Sequence, residues 1–394
     1  MNETAQQNLS TTNTNIYDTQ ILVDNNNHTV DTNDTIDKIV PQPQQNAQSK
    51  KPILQVKNLR KYFVLKTSLL GKPLTRLKAV DDVSFFLNQG ETLGIVGESG
   101  CGKTTMGRSI LRVHPIDGGT IEFDGQDLAK LSKSEMRKLR TKLQIIFQDP
   151  YSSLPPRMSV GEIISEAVKV HKIVPRNKVK EHVLDIMAKC GLQQHYYNRY
   201  PHEFSGGQRQ RICIARTLAV QPKLVVCDEP VSALDVSIQA QIINLLQDLK
   251  REFGLSYVFI SHDLSVISHI SDRICVMYLG SVMELGTREN IFEHTAHPYT
   301  KILLSAVPIA DPRLTKERII PKGDIPSPVN PPKGCKFCTR CPHAKSICVD
   351  SRPVLREITP NHFSACHFAE VITNDTKNSK QIESSTTANN TQPI

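Results

Sequence analysis

Between Thr92 and Ile110 the sequence reads TLGIVGESGCGKTTMGRSI, and no other stretch restricts the fold as strongly. TLGIVG is an apolar run of strand length, KTTMGRSIL opens a helix, and Gly97–Thr104 between them matches G-x-x-x-x-G-K-[ST]. Glycines at these positions let backbone N–H groups converge on phosphate oxygens, and the helix N-terminus adds partial positive charge. Lys103 is placed to reach the β- and γ-phosphates and Thr104 to ligate Mg²⁺. The chain must therefore build a buried strand backed by a helix, and nucleotide binding is the first expectation.

The neighbouring segments extend this frame. ILQVKNLRKYFV alternates as a strand does, while KLVVCDEP and LSYVFISHD are short apolar runs ending in polar tips. Helical stretches such as SIQAQIINLLQDLKREFG separate them, the pattern of an α/β protein with a mainly parallel sheet. Ligands of open α/β sheets sit at the carboxyl ends of the strands, where the polar tips fall. LVVCDE puts Asp228 there for the metal network and Glu229 beside it to polarise an attacking water.

Composition bounds the rest. Residues 1–50 are dominated by Asn, Thr, Gln and Asp and are predicted to be disordered, as is a polar tail over 371–394. The folded part divides into a main domain over 51–308, with a helical region at about 150–220, and a Pro- and Cys-rich segment over 309–370. The net charge is +9, yet the basic residues are scattered and aromatics are few, which argues against a nucleic-acid surface and suits an anionic membrane leaflet nearby. The 10 cysteines occur without a secretory leader, which points to a reducing compartment and to free or metal-bound thiols. No window is apolar enough to span a bilayer.

Four further motifs carry a family resemblance. FSGGQRQR at Phe204–Arg211 resembles the signature motif of ATP-binding cassette (ABC) proteins, FQDP at Phe147–Pro150 their Q-loop, SALD at Ser232–Asp235 their D-loop and ISHD at Ile260–Asp263 their H-switch. The resemblance implies a P-loop cassette with a mainly parallel core, an antiparallel β subdomain and a helical subdomain, working on ATP and Mg²⁺. It implies a phosphate loop of Gly97, Glu98, Ser99, Gly100, Cys101 and Gly102 with Lys103, Thr104 and Thr105 following. Glu229, His262 and Gln148 would be catalytic, with Thr104, Gln148 and Asp228 around the metal. Ser205, Gly206, Gly207 and Gln208 would reach the ATP of an opposite cassette, near Asp235. Tyr62 would stack on adenine, with Phe63 as the rival. Cys101 and Cys227 lie inside the nucleotide motifs, so thiol reagents are expected to inhibit and ATP to protect.

The interval between Gln148 and Ser205 is too short for the coiled coil of chromosome-maintenance relatives, and the single phosphate loop disfavours the translation-associated ones. FQDPYSSLPPRMSV, RYPHEFSGGQRQR and HTAHPYTKILLSAVPIADP resemble the ATPase subunits of bacterial dipeptide and oligopeptide importers, over about 52–368. Pro155 departs from that pattern without touching a phosphate contact. The implied partners are a second ABC ATPase subunit, as a heterodimer, two transmembrane permease subunits and, indirectly, an extracytoplasmic peptide-binding protein. The implied location is peripheral, on the cytoplasmic side of the cell membrane. Alternatives are the same role for nickel or another small solute, or a soluble ABC ATPase acting on nucleic acid or ribosomes. GCKFCTRCPHAKSIC, with Cys366, resembles the C-terminal extension of the peptide-importer subfamily, which implies a [4Fe-4S] cluster on Cys335, Cys341, Cys348 and Cys366, with zinc as the other reading. Cys338 is a rival ligand. The extension is expected to be an appendage on a Pro-rich arm, stabilised by its cysteines and apart from hydrolysis.

Overall fold

The computed structural model describes residues 52–68, 73–307 and 318–373. The predicted disordered segment 1–50 and the tail beyond Thr373 lie outside the described residues.

Two sheets organise the main domain. Strands β1 (Pro52–Thr67), β2 (Pro73–Asn88), β4 (Gly118–Phe123) and β5 (Gln126–Asp127) form an antiparallel sheet in the order β2-β1-β4-β5. The central sheet runs β11-β12-β10-β9-β3-β8-β7-β6. In it β3 (Thr92–Val96), β6 (Leu143–Ile146), β7 (Leu224–Asp228), β8 (Ser256–Ile260) and β9 (Arg273–Tyr278) are parallel. Every residue of β3, β7 and β8 is buried, which is why these runs are continuously apolar instead of alternating. Pairing of Ile95 and Asp228 with Ile260 aligns the carboxyl ends of the three strands, so the segments that follow them emerge side by side.

Helices cover the core. They are α1 (Lys103–Ile110), α2 (Lys133–Leu139), α3 (Pro150–Ser153), α4 (Val160–His171), α5 (Val179–Lys189), α6 (Gly206–Leu218), α7 (Val236–Phe253), α8 (Leu264–Ile270), α9 (Arg288–Glu293), α10 (Pro298–Ser305) and α11 (Ser346–Asp350). Helices α3 to α6 form a group between β6 and β7. Capping boxes start its longer helices: Ser159 with Glu162 for α4, and Ser205 with Gln208 for α6.

The C-terminal extension is not an appendage. Strand β12 (His362–Ser364) pairs antiparallel with β10 (Ser281–Thr287), and β11 (Arg356–Thr359) adds the outer edge. His362 Nε2 lies 2.7 Å from Glu284 Oε1 in a fully buried pair, and Glu284 also accepts the N–H groups of Ala296 and His297. The extension thus completes the central sheet of the cassette. It also runs past residue 370, because a helical turn over 369–373 buries Ile372 and Thr373.

Candidate active site

The phosphate loop follows β3 and feeds α1. Gly102, the N-cap of α1, has φ +103°, and a Cβ there would stand 2.0 Å from the Ala79 carbonyl oxygen, so only glycine fits. No side chain caps α1 and its first turn holds no acid, which leaves its N–H groups and dipole for an anion. Lys103 is buried and its Nζ donates to the carbonyls of Gly97 at 2.7 Å and Glu98 at 3.2 Å, laying the ammonium along the loop. Ser99, Gly100, Gly102, Thr104 and Thr105 line one open pocket with Lys103. Glu98 is different: its N–H donates to Tyr299 Oη at 2.9 Å and its carboxylate meets Arg340 at 2.9 Å.

Opposite the loop, the tip of β7 separates two adjacent acids. Asp228 is buried and its Oδ1 accepts from Thr104 Oγ1 at 2.7 Å. Burial raises its pKa, with the Thr104 hydroxyl and Arg108 opposing. Its Oδ2 is buried, accepts no hydrogen bond, and lies 3.7 Å from Arg108 Nη2. A hydroxyl and a carboxylate oxygen in need of a partner, beside Gln148, are the hard-oxygen set that suits Mg²⁺. Glu229 turns the other way because its backbone is left-handed, φ +49°, a conformation that costs a non-glycine residue about 1–3 kcal/mol. Its Oε2 accepts from Gln148 Nε2 at 3.2 Å and lies 3.2 Å from His262 Nδ1. Glu229 and Gln148 line the same pocket as the loop, so the proposed catalytic trio meets at one carboxylate.

Other sequence expectations fall elsewhere. Tyr62 does not face the pocket: its hydroxyl donates to Asp81 Oδ1 at 2.7 Å, and burial together with that carboxylate pushes the phenol up to about 12. Phe63 is the aromatic on the pocket wall, packed edge-on to His114 at 5.6 Å. Ser205 and Gln208 cap α6, Asp235 caps α7, and none of Ser205–Gln208 lines this chain's own pocket. Gly207 lets α6 approach α7, since a Cβ there would meet Ile238 at 2.5 Å. Cys101 and Cys227 are 4% and 0% exposed, and burial raises both thiols, so the expected inactivation by thiol reagents loses its basis.

Comparison with known proteins follows this geometry. The ABC transporter family model matches residues 80–232, and that of the oligopeptide/dipeptide transporter C-terminal region matches residues 283–348. The chain is 51% identical over 325 residues to the oligopeptide transport ATP-binding protein AppF of Bacillus subtilis, covering 82% of this chain and 99% of that one. The chain belongs to the ATP-binding proteins of ABC-type oligopeptide transporters. Within that family it is also 51% identical over 313 residues to OppF of Escherichia coli, covering 78% of this chain and 94% of the relative. Among solved structures, cbiO1 of Clostridium perfringens, part of the ABC transporter complex cbiONQ, matches with a TM-score of 0.54 at 27% identity, over 62% of this chain and 91% of that one. The dimeric ATP-binding cassette MJ0796 bound to ADP and phosphate matches with a TM-score of 0.53 at 27% identity, over 60% and 98%.

The C-terminal region of this oligopeptide-transporter ATPase gathers Cys335, Cys338, Cys341, Cys348 and Cys366 around one small pocket. Burial, reinforced by the neighbouring cysteines, pushes Cys335 up to about 12 and Cys341 and Cys366 up to about 11. Among the described residues, no three or more His, Cys, Asp or Glu side chains are drawn together closely enough to hold a metal. The five thiols are of the donor type a thiolate-bound centre uses and share one pocket, but they stand wider apart than ligation requires. Among the described residues, no helix is long and apolar enough to cross a membrane.

Proposed function

We propose that this chain binds ATP with Mg²⁺ on the β3–α1 loop and hydrolyses it as the energy-coupling subunit of an oligopeptide importer. The observation that carries the reading is the convergence of Gln148 and His262 on Glu229, beside the phosphate loop. Glu229 accepts the proton of the attacking water, while Gln148 and His262 hold its carboxylate toward the γ-phosphate. Lys103 turns from the loop carbonyls to the β- and γ-phosphates. Thr104 and Asp228, with Gln148, would hold Mg²⁺, which supplies neutralisation of the charge on the transferred phosphoryl group.

The importer would pair this cassette with a second, different one and dock both on two transmembrane permease subunits at the cytoplasmic face, with a peptide-binding protein delivering cargo outside. The dimeric state of MJ0796 and the position of Ser205–Gln208 away from this chain's own pocket support the pairing. Phosphate release by the reconstituted importer tests the chemistry. Glu229→Gln should lower turnover by about 10²- to 10⁴-fold with ATP still bound. Full turnover in that variant would overturn the assignment. Cells lacking the chain should regain labelled-peptide uptake with the wild type and not with Glu229→Gln; restored nickel uptake in place of peptide uptake would move the cargo to another class.

For the extension we propose that four of its five thiols, Cys335, Cys341, Cys348 and Cys366 with Cys338 as the rival, bind a [4Fe-4S] cluster or zinc. Their common pocket supports the reading. Anaerobic purification with iron, sulfide and zinc analysis decides it: metal lost in Cys341→Ser supports the centre, and no metal in the wild type sinks it.

A further inference from the structure

The cysteine-rich extension reaches the phosphate loop itself. Arg340 Nη1 lies 3.1 and 2.9 Å from the two carboxylate oxygens of Glu98, inside the GESGCGKT loop. The Arg340 side chain is 9% exposed and that of Glu98 24%, so water screens the pair only partly. The grip on Glu98 is double, because Tyr299 Oη takes its N–H at 2.9 Å. Phe337 of the extension packs against both Tyr278 and Tyr299, with ring centroids 5.3 and 5.2 Å apart, and Arg340 Nη1 also reaches Tyr278 Oη at 3.4 Å.

A second contact lies on the other wall. The Pro-rich arm accepts the Lys78 N–H on the Pro328 carbonyl at 3.3 Å, and Pro328 lines the pocket together with Phe63, Leu77 and Lys103. Other contacts also anchor the extension: the β10–β12 ladder and the buried Lys336–Asp81 pair at 2.9 Å.

An acid inside a loop that must receive a triphosphate opposes the ligand unless its charge is met. Removing one partner of a largely desolvated pair leaves the other uncompensated, here beside the phosphates. We propose that the extension is a working part of the ATP site: Arg340 is a positioning residue that holds and neutralises Glu98, and Pro328 supplies part of the pocket wall. This rests on the reading of the loop as the ATP site. The contacts are made by the polypeptide and need no metal.

Calorimetric titration of the full-length chain with ATP and Mg²⁺ is the test. Arg340→Met, which keeps side-chain volume, should weaken binding roughly three- to tenfold, and adding Glu98→Gln should restore most of the loss, because no unpaired charge remains. An affinity within twofold of wild type in a folded Arg340→Met, or the same loss with and without Glu98→Gln, overturns the proposal. Coupling is reciprocal, so ATP should slow hydrogen exchange in wild-type peptides covering residues 326–345. This measurement needs no variant, and unchanged exchange at saturating ATP also overturns the proposal. A wild type that fails to bind ATP overturns the underlying reading of the loop, a result distinct from equal binding by wild type and variant.

Discussion

Burial decides which side chains at the site can react or bind. Cys101 and Cys227 sit within the nucleotide motifs yet are closed off, so N-ethylmaleimide at neutral pH should leave both unlabelled until denaturant is added. Peptide mass spectrometry of the labelled protein checks this; rapid labelling of either cysteine in the folded chain would contradict the burial. The two aromatics of RKYF should also separate. Phe63→Ala removes a ring from the pocket wall and should weaken ATP binding by about 1–3 kcal/mol, the typical worth of one base stacked on an aromatic side chain. Tyr62→Phe should keep ATP affinity within about twofold and lose about 1.5–3 kcal/mol of stability, the typical net worth of a hydrogen bond to a charged group such as Asp81. ATP titration and urea unfolding of both variants measure the two effects.

At the scale of elements, the extension is tied to the cassette at the β10 edge and at Asp81 of β2. Asp81, which burial alone would raise, is held down at about 2 by Lys336, the Tyr62 hydroxyl and Arg352. Two of those three partners come from the extension, as does His362 on buried Glu284. Deleting residues 318–394 should therefore do more than shorten the chain. It bares the β10 edge and leaves two buried carboxylates without these partners, a loss of several kcal/mol, since one broken buried pair costs about 3–5 kcal/mol. Soluble yield and melting temperature should both fall. A truncated chain that melts with the full-length protein would show the extension to be dispensable.

On the whole-molecule scale, a single chain supplies one complete phosphate loop with its acids and, apart from them, a signature segment whose hydroxyl and N–H groups do not line its own pocket. Ser205→Arg should accordingly leave ATP binding by the isolated chain unchanged while lowering turnover of the assembled importer at least about tenfold. Binding to the isolated chain and phosphate release by the complex separate the two. Weaker binding by the isolated variant would mean that the segment serves its own site.

The sequence by itself determined what depends on residues close together in the chain. The strand–loop–helix of TLGIVGESGCGKT and the acids Asp228 and Glu229 at a strand tip are specified within a few positions. Their physics is local: strand burial and glycine conformation. Tertiary structure alone decided which aromatic of the pair lines the pocket, because β1 carries a register shift between Lys61 and Tyr62 and alternation cannot be counted through it. It also decided that the cysteine-rich segment closes the sheet and touches the loop. Arg340 meets Glu98 across 242 residues, and a charge pair of that separation leaves no periodic or compositional trace. Such contacts arise only when two surfaces are packed together and the buried charge on one requires its partner on the other.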